Sequence, residues 1–141
     1  FNFEILKSSF NEEYHEINSD ITINYSLKFI KFYDETKVSK YLDLALDLNQ
    51  RYSIYYPDHS VAKVNILLIK IKQNYILSEE EQQDILDMLE KAEKNSDLRL
   101  CFACEVLLQN KLKARRIYNS LDSLEQELII DYPIYDFFIT L

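Results

Sequence analysis

The sequence predicts an all-α chain of stacked antiparallel helix hairpins, and three observations predict it. Glycine is absent from the 141 residues, where an average chain of this length carries roughly ten. Apolar residues recur at i, i+3, i+4 and i+7 through most of the chain, the signature of helical faces. Breaks between these segments recur about every 38 residues, at Tyr56-Pro57-Asp58, Lys94-Asn95-Ser96-Asp97 and Asp131-Tyr132-Pro133. The two prolines lie 76 residues apart, twice that beat, with the middle break halfway between them. Such a period is the pattern of repeated helix pairs that bury one another's apolar faces.

The elements follow in order. Residues 1–19 carry Phe10, Tyr14 and Ile17 on one face, which predicts a short helix near 9–18. Asp20 is the expected N-cap of the next helix, with Ile23, Leu27 and Ile30 as its stripe and Asp34-Glu35-Thr36 as its end. Tyr41, Leu44, Ala45, Leu48 and Tyr52 mark a helix that stops at Tyr56-Pro57, because a residue before proline is pushed out of the helical region. Asp58 or Ser60 caps the helix of Val61, Val64, Leu68 and Ile71, whose face Leu67 and Ile69 widen; it ends at Gln73-Asn74. Ser78-Glu79-Glu80-Glu81 has the form of a capping box, and Ile85, Met88 or Leu89, and Ala92 carry that helix inward. Asp97 caps a helix with the stripe Leu98, Cys101, Cys104 or Glu105, and Leu108, ending at Gln109-Asn110. One longer helix then carries Ala114, Ile117, Tyr118, Leu121, Leu124 and Leu128 as far as Pro133. Ile134, Phe137 and Leu141 open a further helix. The single helical-repeat domain thus divides into repeats 20–57, 58–96 and 97–133, with 134–141 starting another helix.

Composition narrows the function. Without glycine there is no phosphate-cradling loop of the Rossmann or P-loop kind, since those need positive φ or close backbone approach. The net charge of −8 argues against direct nucleic-acid contact, which calls for a basic face. No apolar run approaches the roughly 18–20 residues of a membrane span. Two cysteines three apart make no disulfide framework and suit a reducing cytosol. Abundant Ile, Asn, Lys and Tyr resemble A+T-rich bacterial coding. The chain opens at Phe1, which is expected of a fragment or C-terminal regulatory part of a larger bacterial protein.

The stretch Leu108-Gln-Asn-Lys-Leu-Lys-Ala114-Arg-Arg-Ile-Tyr118-Asn-Ser-Leu121, with Pro133 beyond it, resembles the second helix of a tetratricopeptide repeat. There a small residue is followed by an aromatic four later and a proline at the exit; Ala114, Tyr118 and Pro133 take those places. The repeat here is longer than that family's 34 residues and lacks its aromatic–leucine–glycine signature in the first helix. Longer repeats of this kind resemble the helical sensor regions of Gram-positive peptide-responsive regulators. They also resemble the helical tails of bacterial multidomain proteins. The resemblance implies a right-handed TPR-like α-solenoid that binds protein or peptide along the concave face of its first helices.

Candidate chemistry is sparse. Cys101-Phe102-Ala103-Cys104 has the C-x-x-C form of redox motifs, but its position on the inner stripe, some four residues into a helix, reads as small apolar packing. A structural zinc site wants four ligands, and His15 and His59 lack the spacing to complete one. His59 has no accompanying nucleophile or acid in sequence. The pairs Asp43/Asp47, Glu80/Asp84 and Asp84/Asp87 read as solvated helix faces. Lys111, Lys113, Arg115 and Arg116 form a basic cluster in the first turns of a helix, where the dipole disfavours cations, and that misplacement points to an acidic partner. The 11 Tyr and 8 Phe read mostly as inter-helix packing, with an exposed subset suited to a peptide groove. No catalytic residue, cofactor or metal is expected, and the chain reads as no enzyme. The expected function is a protein- or peptide-binding interaction module, with Lys28, Lys31, Lys63, Lys70, Arg99, Lys111 and Arg115 as polar grip and with homo-oligomerisation compatible. The alternative is a ligand-sensing, dimerising domain of a transcription regulator, which requires a DNA-binding domain upstream.

Overall fold

A computed structural model describes residues 15–141, with side chains from Ile21 onward, and among these residues every regular element is an α-helix. They are α1 (His15–Thr36), α2 (Ser39–Tyr55), α3 (Ser60–Lys72), α4 (Glu79–Lys94), α5 (Leu98–Leu107), α6 (Lys111–Ser120), α7 (Ser123–Ile129) and α8 (Pro133–Thr140). The chain divides into two compact units between Ile69 and Lys70, inside α3. No helix among the described residues is long and apolar enough to cross a membrane.

In the first unit, α1 and α2 pack on each other across a two-residue connection, so α2 returns along α1. The expected cap at Asp20 is corrected: α1 already runs from His15, and Asp20 lies inside it. The first part of the short helix expected near 9–18 lies outside the described residues. The buried face of α1 is Thr22, Ser26, Phe29 and Ile30, while Ile23 packs only partly buried. Two of these are hydroxyl residues that an apolar stripe cannot reveal. Ser26 satisfies its own burial by donating to the Ile23 carbonyl at 2.9 Å, the back-bonding typical of a helical serine. On α2 the buried face is Leu42, Ala45, Leu48, Asn49 and Tyr52, one position round from the expected Tyr41 and Leu44. Asn49 bridges elements: its amide donates to the Ala45 carbonyl at 2.8 Å, and its oxygen accepts from Asn65 of α3 at 3.3 Å. The link fixes α3 against α2 and leaves neither buried amide without a partner, which would cost about 1–3 kcal/mol.

The second unit is built from shorter helices centred on α5. Seven consecutive residues of α5, Cys101 to Leu107, are buried, because α4, α6 and α8 all pack on it. The single stripe expected there is therefore too narrow. Phe102 meets Phe138 of α8 edge-on with ring centroids 5.1 Å apart, and Tyr118 of α6 at 6.0 Å. Pro133 opens α8 at its first turn, where a missing N–H costs nothing. Phe138, rather than the expected Phe137, is its buried aromatic.

The long helix expected from Ala114 through Leu128 is instead two. Leu121 adopts an extended conformation and ends α6, and Asp122 starts α7 with a complete capping box: its carboxylate accepts from the Glu125 N–H, and Glu125 reaches back to the Asp122 N–H. Gln126 then donates to the Tyr118 carbonyl at 2.9 Å, covering one open end of α6.

Many helix exits use a left-handed residue, commonly glycine, and this chain has no glycine to supply it. Lys37, Asn74, Ser96 and Gln109 take positive φ instead, between 54° and 62°. Three of them close Schellman motifs. Asn74 N–H donates to Ile71 and Tyr75 N–H to Lys70; Ser96 to Glu93 and Asp97 to Ala92; Gln109 to Val106 and Asn110 to Glu105. The pairs Gln73-Asn74 and Gln109-Asn110, alike in sequence, are thus offset by one: the left-handed residue is the second of one pair and the first of the other.

Candidate functional site

The basic residues singled out by sequence fall in both units. In the first, Lys28 is exposed with its Nζ 5.4 Å from the Tyr25 ring centre, Lys31 is half-buried one helical turn on, and Lys63 lies 3.9 Å from Asp58. In the second, Lys70 is held by Glu81 at 2.6 Å. That carboxylate is used twice, since its other oxygen accepts from the Ser78 N–H of the capping box at 3.0 Å. The Lys70 hydrogen bond, followed by the Ser78 N–H, holds the Glu81 carboxyl below the ordinary carboxylate value. Arg99 is exposed in the first turn of α5. Lys111 donates to the terminal Leu141 carbonyl, and the Arg115 guanidinium lies 5.6 Å from the centre of the Phe138 ring.

Lys111 and Arg115 are therefore brought together against α8. Their neighbours in the basic cluster, Lys113 and Arg116, are exposed and make no ion pair with any described residue. The basic cluster thus divides: one face of α6 bonds Leu141 and covers the Phe138 ring, and the other presents two cations with no ion pair among the described residues. Behind the first face is an aromatic ladder in which Tyr118 stands 5.5 Å from Tyr135, and Tyr135 5.9 Å from Phe138. Burial first, then the adjacent Tyr135, pushes the Tyr118 phenol up from its ordinary value.

Several large apolar side chains in this unit face outward, and sequence reasoning assigned two of them to the core. Leu112 is 72% exposed, Leu124 65%, Leu128 45% and Ile139 61%. Leu124 and Leu128 lie in phase with the α6 stripe only if the helix is unbroken. The turn at Leu121 resets the phase, and the signal for it was Asp122-x-x-Glu125.

The C-x-x-C pair is buried and free of disulfide. Burial is the first cause raising both thiols, with acidic neighbours Glu93 and Asp97 at Cys101 and the companion thiol at Cys104; Cys104 is pushed up to about 12. At neutral pH both are protonated, whereas a nucleophilic cysteine needs the thiolate. Glu105, beside them on α5, is buried with its Oε2 unpaired. His59 packs edge-on against Tyr52 at 5.0 Å. Asp47 is spent on Arg51, which donates to both its oxygens at 3.1 Å. Among the described residues no group of three or more His, Cys, Asp or Glu is placed to hold a metal ion. Comparison with protein-family models, with curated proteins and with solved structures finds no match to this chain.

Proposed function

We propose that the chain is a protein- or peptide-binding module with tetratricopeptide-like helix hairpins, part of a larger bacterial cytoplasmic protein, and that it works by docking rather than by catalysis. One observation carries this reading. On α6, Leu112 is 72% exposed beside Lys113 and Arg116, two cations with no partner among the described residues. The spacing 112, 113 and 116 puts all three on one side of a helix. An apolar side chain flanked by unpaired cations fits a partner segment that is amphipathic and acidic, with a leucine or aromatic anchor against Leu112 and carboxylates on Lys113 and Arg116. Two buried, protonated thiols suit the same reading, because they serve packing.

The test is fluorescence anisotropy with labelled acidic amphipathic peptides. Binding that weakens at least tenfold in Leu112→Ser and in Arg116→Glu supports the module. Binding that neither substitution alters, or no binding by any such peptide, removes it.

A further inference from the structure

The partner chemistry that α6 calls for is present in the next element of the same chain. The segment 111–120 has four basic residues and no acid; the segment 122–131 has four acids, Asp122, Glu125, Glu127 and Asp131, and no base. Asp122 and Glu125 are used in the α7 capping box. Glu127 and Asp131 are exposed and make no ion pair with any described residue, as with Lys113 and Arg116. Opposite charges close in sequence are thus left apart. The break at Leu121 turns the helix, and Gln126 holds α7 to the end of α6.

Each helix also carries apolar side chains with nothing over them. α6 presents Leu112 with cations one and four positions on. α7 presents Leu124 and Leu128 with Glu127 between them, and Asp131 follows just past its C-cap Ile130. Leu112 and Arg116, Leu124 and Leu128, and Leu124 and Glu127 are neighbours three or four positions apart on their helices. α7 buries only Ile129 of its own residues, while Leu124, Leu128 and the following Ile130 are exposed. A seven-residue helix has little reason to hold three large apolar residues in water unless another surface covers them.

We propose that the occupant of the α6 face is α7 of a second copy of this chain, and that its own α7 returns the contact. This rests on α6 being a protein-binding face and names its partner. Such an exchange is isologous, so one two-fold axis generates two identical α6–α7 contacts and the assembly closes as a dimer. The net charge of −8 sets copies against each other at long range. Association therefore depends on local complementarity: Lys113 and Arg116 of one protomer meet Glu127 and Asp131 of its partner, over Leu112 against Leu124 and Leu128. Rim charges of this kind set orientation, and the covered leucines contribute most of the attachment.

Sedimentation of the full chain tests this with paired charge reversals. The native chain is expected to sediment as a dimer in rising concentration. The double variant Lys113→Glu/Arg116→Glu has acid on both helices, and Glu127→Lys/Asp131→Lys has base on both, so each alone is expected to be monomeric. Mixed together they restore both contacts, and a heterodimer is expected. Circular dichroism confirms that each variant folds. A native chain that stays monomeric while still binding acidic peptide through Arg116 overturns the second copy as occupant and leaves the docking face to another protein. A monomer that binds no such peptide overturns both readings. A dimer indifferent to either reversal, or variants that fail to pair when mixed, places the contact elsewhere and overturns the proposal.

Discussion

The two units reach helical cores by different routes. In the first, α1 and α2 have 22 and 17 residues, and α2 starts at Val38 with no side-chain cap. Length and a continuous buried face hold them together. In the second, α5 to α8 have 10, 10, 7 and 8 residues, too short to be stable alone in water. There the ends are fixed one by one: Ser78, Asp97 and Asp122 accept from their first turns, Pro133 opens α8, and Schellman turns close α4 and α5. The difference teaches that helix length decides where the folding information sits, along the face of a long helix and at the termini of a short one.

The comparison breaks first at the centre of the second unit, where α5 is the exception to its own rule. Its caps are ordinary, but its burial is nearly complete, and Phe102 has no exposed surface. Phe102→Ala should cost about 3–5 kcal/mol, the range for a buried ring removed from a packed core. Leu48→Ala, the matching excision in α2, should cost about 2–5 kcal/mol. Urea unfolding followed by circular dichroism measures both. A Phe102→Ala cost below about 1 kcal/mol would mean that termini alone hold the second unit.

The weight placed on termini is tested next, through pH. Ser78→Ala removes a cap and should cost about 0.5–2 kcal/mol, whereas Val38→Ala, where no cap exists, should change little. Glu81 adds a pH signature. Its carboxyl is held below its ordinary value of 4.5, first by Lys70 and then by the Ser78 N–H. A group whose folded value is depressed stabilises fully above its unfolded value and loses that contribution as pH falls through the folded one. Native and Glu81→Gln chains should therefore differ in thermal midpoint at pH 6 and converge near pH 3. A gap that persists undiminished in acid would show that the carboxylate charge is not what closes the α3–α4 turn.

How much of this was legible in sequence follows the same division. The caps Ser78 and Asp97 and the stop before Pro57 were readable, because each is one residue type with one backbone consequence; Pro133, expected to end a helix, instead opens α8. Ile85 and Ala92 were readable as the inner face of α4, since few other apolar residues compete on that helix. The face of α1 was read one step off, because Thr22 and Ser26 are buried there although both are polar, Ser26 with its hydroxyl turned back on its own helix. The break at Leu121 was missed because Ala114, Ile117, Leu121, Leu124 and Leu128 keep helical spacing straight through it. That same break is what exposes Leu124 and Leu128, so the candidate surface was hidden by the error that hid the turn. The burial of seven consecutive α5 residues was legible only at Cys101 and Cys104 or Glu105; the rest depends on α4, α6 and α8 packing around that helix.

The smallest effect bears on a feature common to both units, the left-handed exits made without glycine. A non-glycine residue there costs roughly 1–2 kcal/mol from the close approach of Cβ to the following carbonyl. Glycine removes that cost but widens the unfolded ensemble, by about 0.4–1 kcal/mol. Gln109→Gly, at φ 60°, should therefore gain about 0.8 kcal/mol, the difference between the midpoints of those two ranges. Asn74→Gly should gain less, because asparagine tolerates this region by bonding locally. Lys37→Gly tests the same term in the first unit, where its N–H donates to the Tyr33 carbonyl and the Val38 N–H to the Thr36 hydroxyl. Gln109→Ala is the control: it shortens the side chain, keeps Cβ, and should leave stability nearly unchanged. Equal gains at Gln109 and Asn74 in thermal unfolding would show that residue type does not matter at these exits. A loss at Gln109→Gly would show that the Schellman hydrogen bonds already offset the strain, and that the chain does without glycine because its unfolded state is thereby kept narrower.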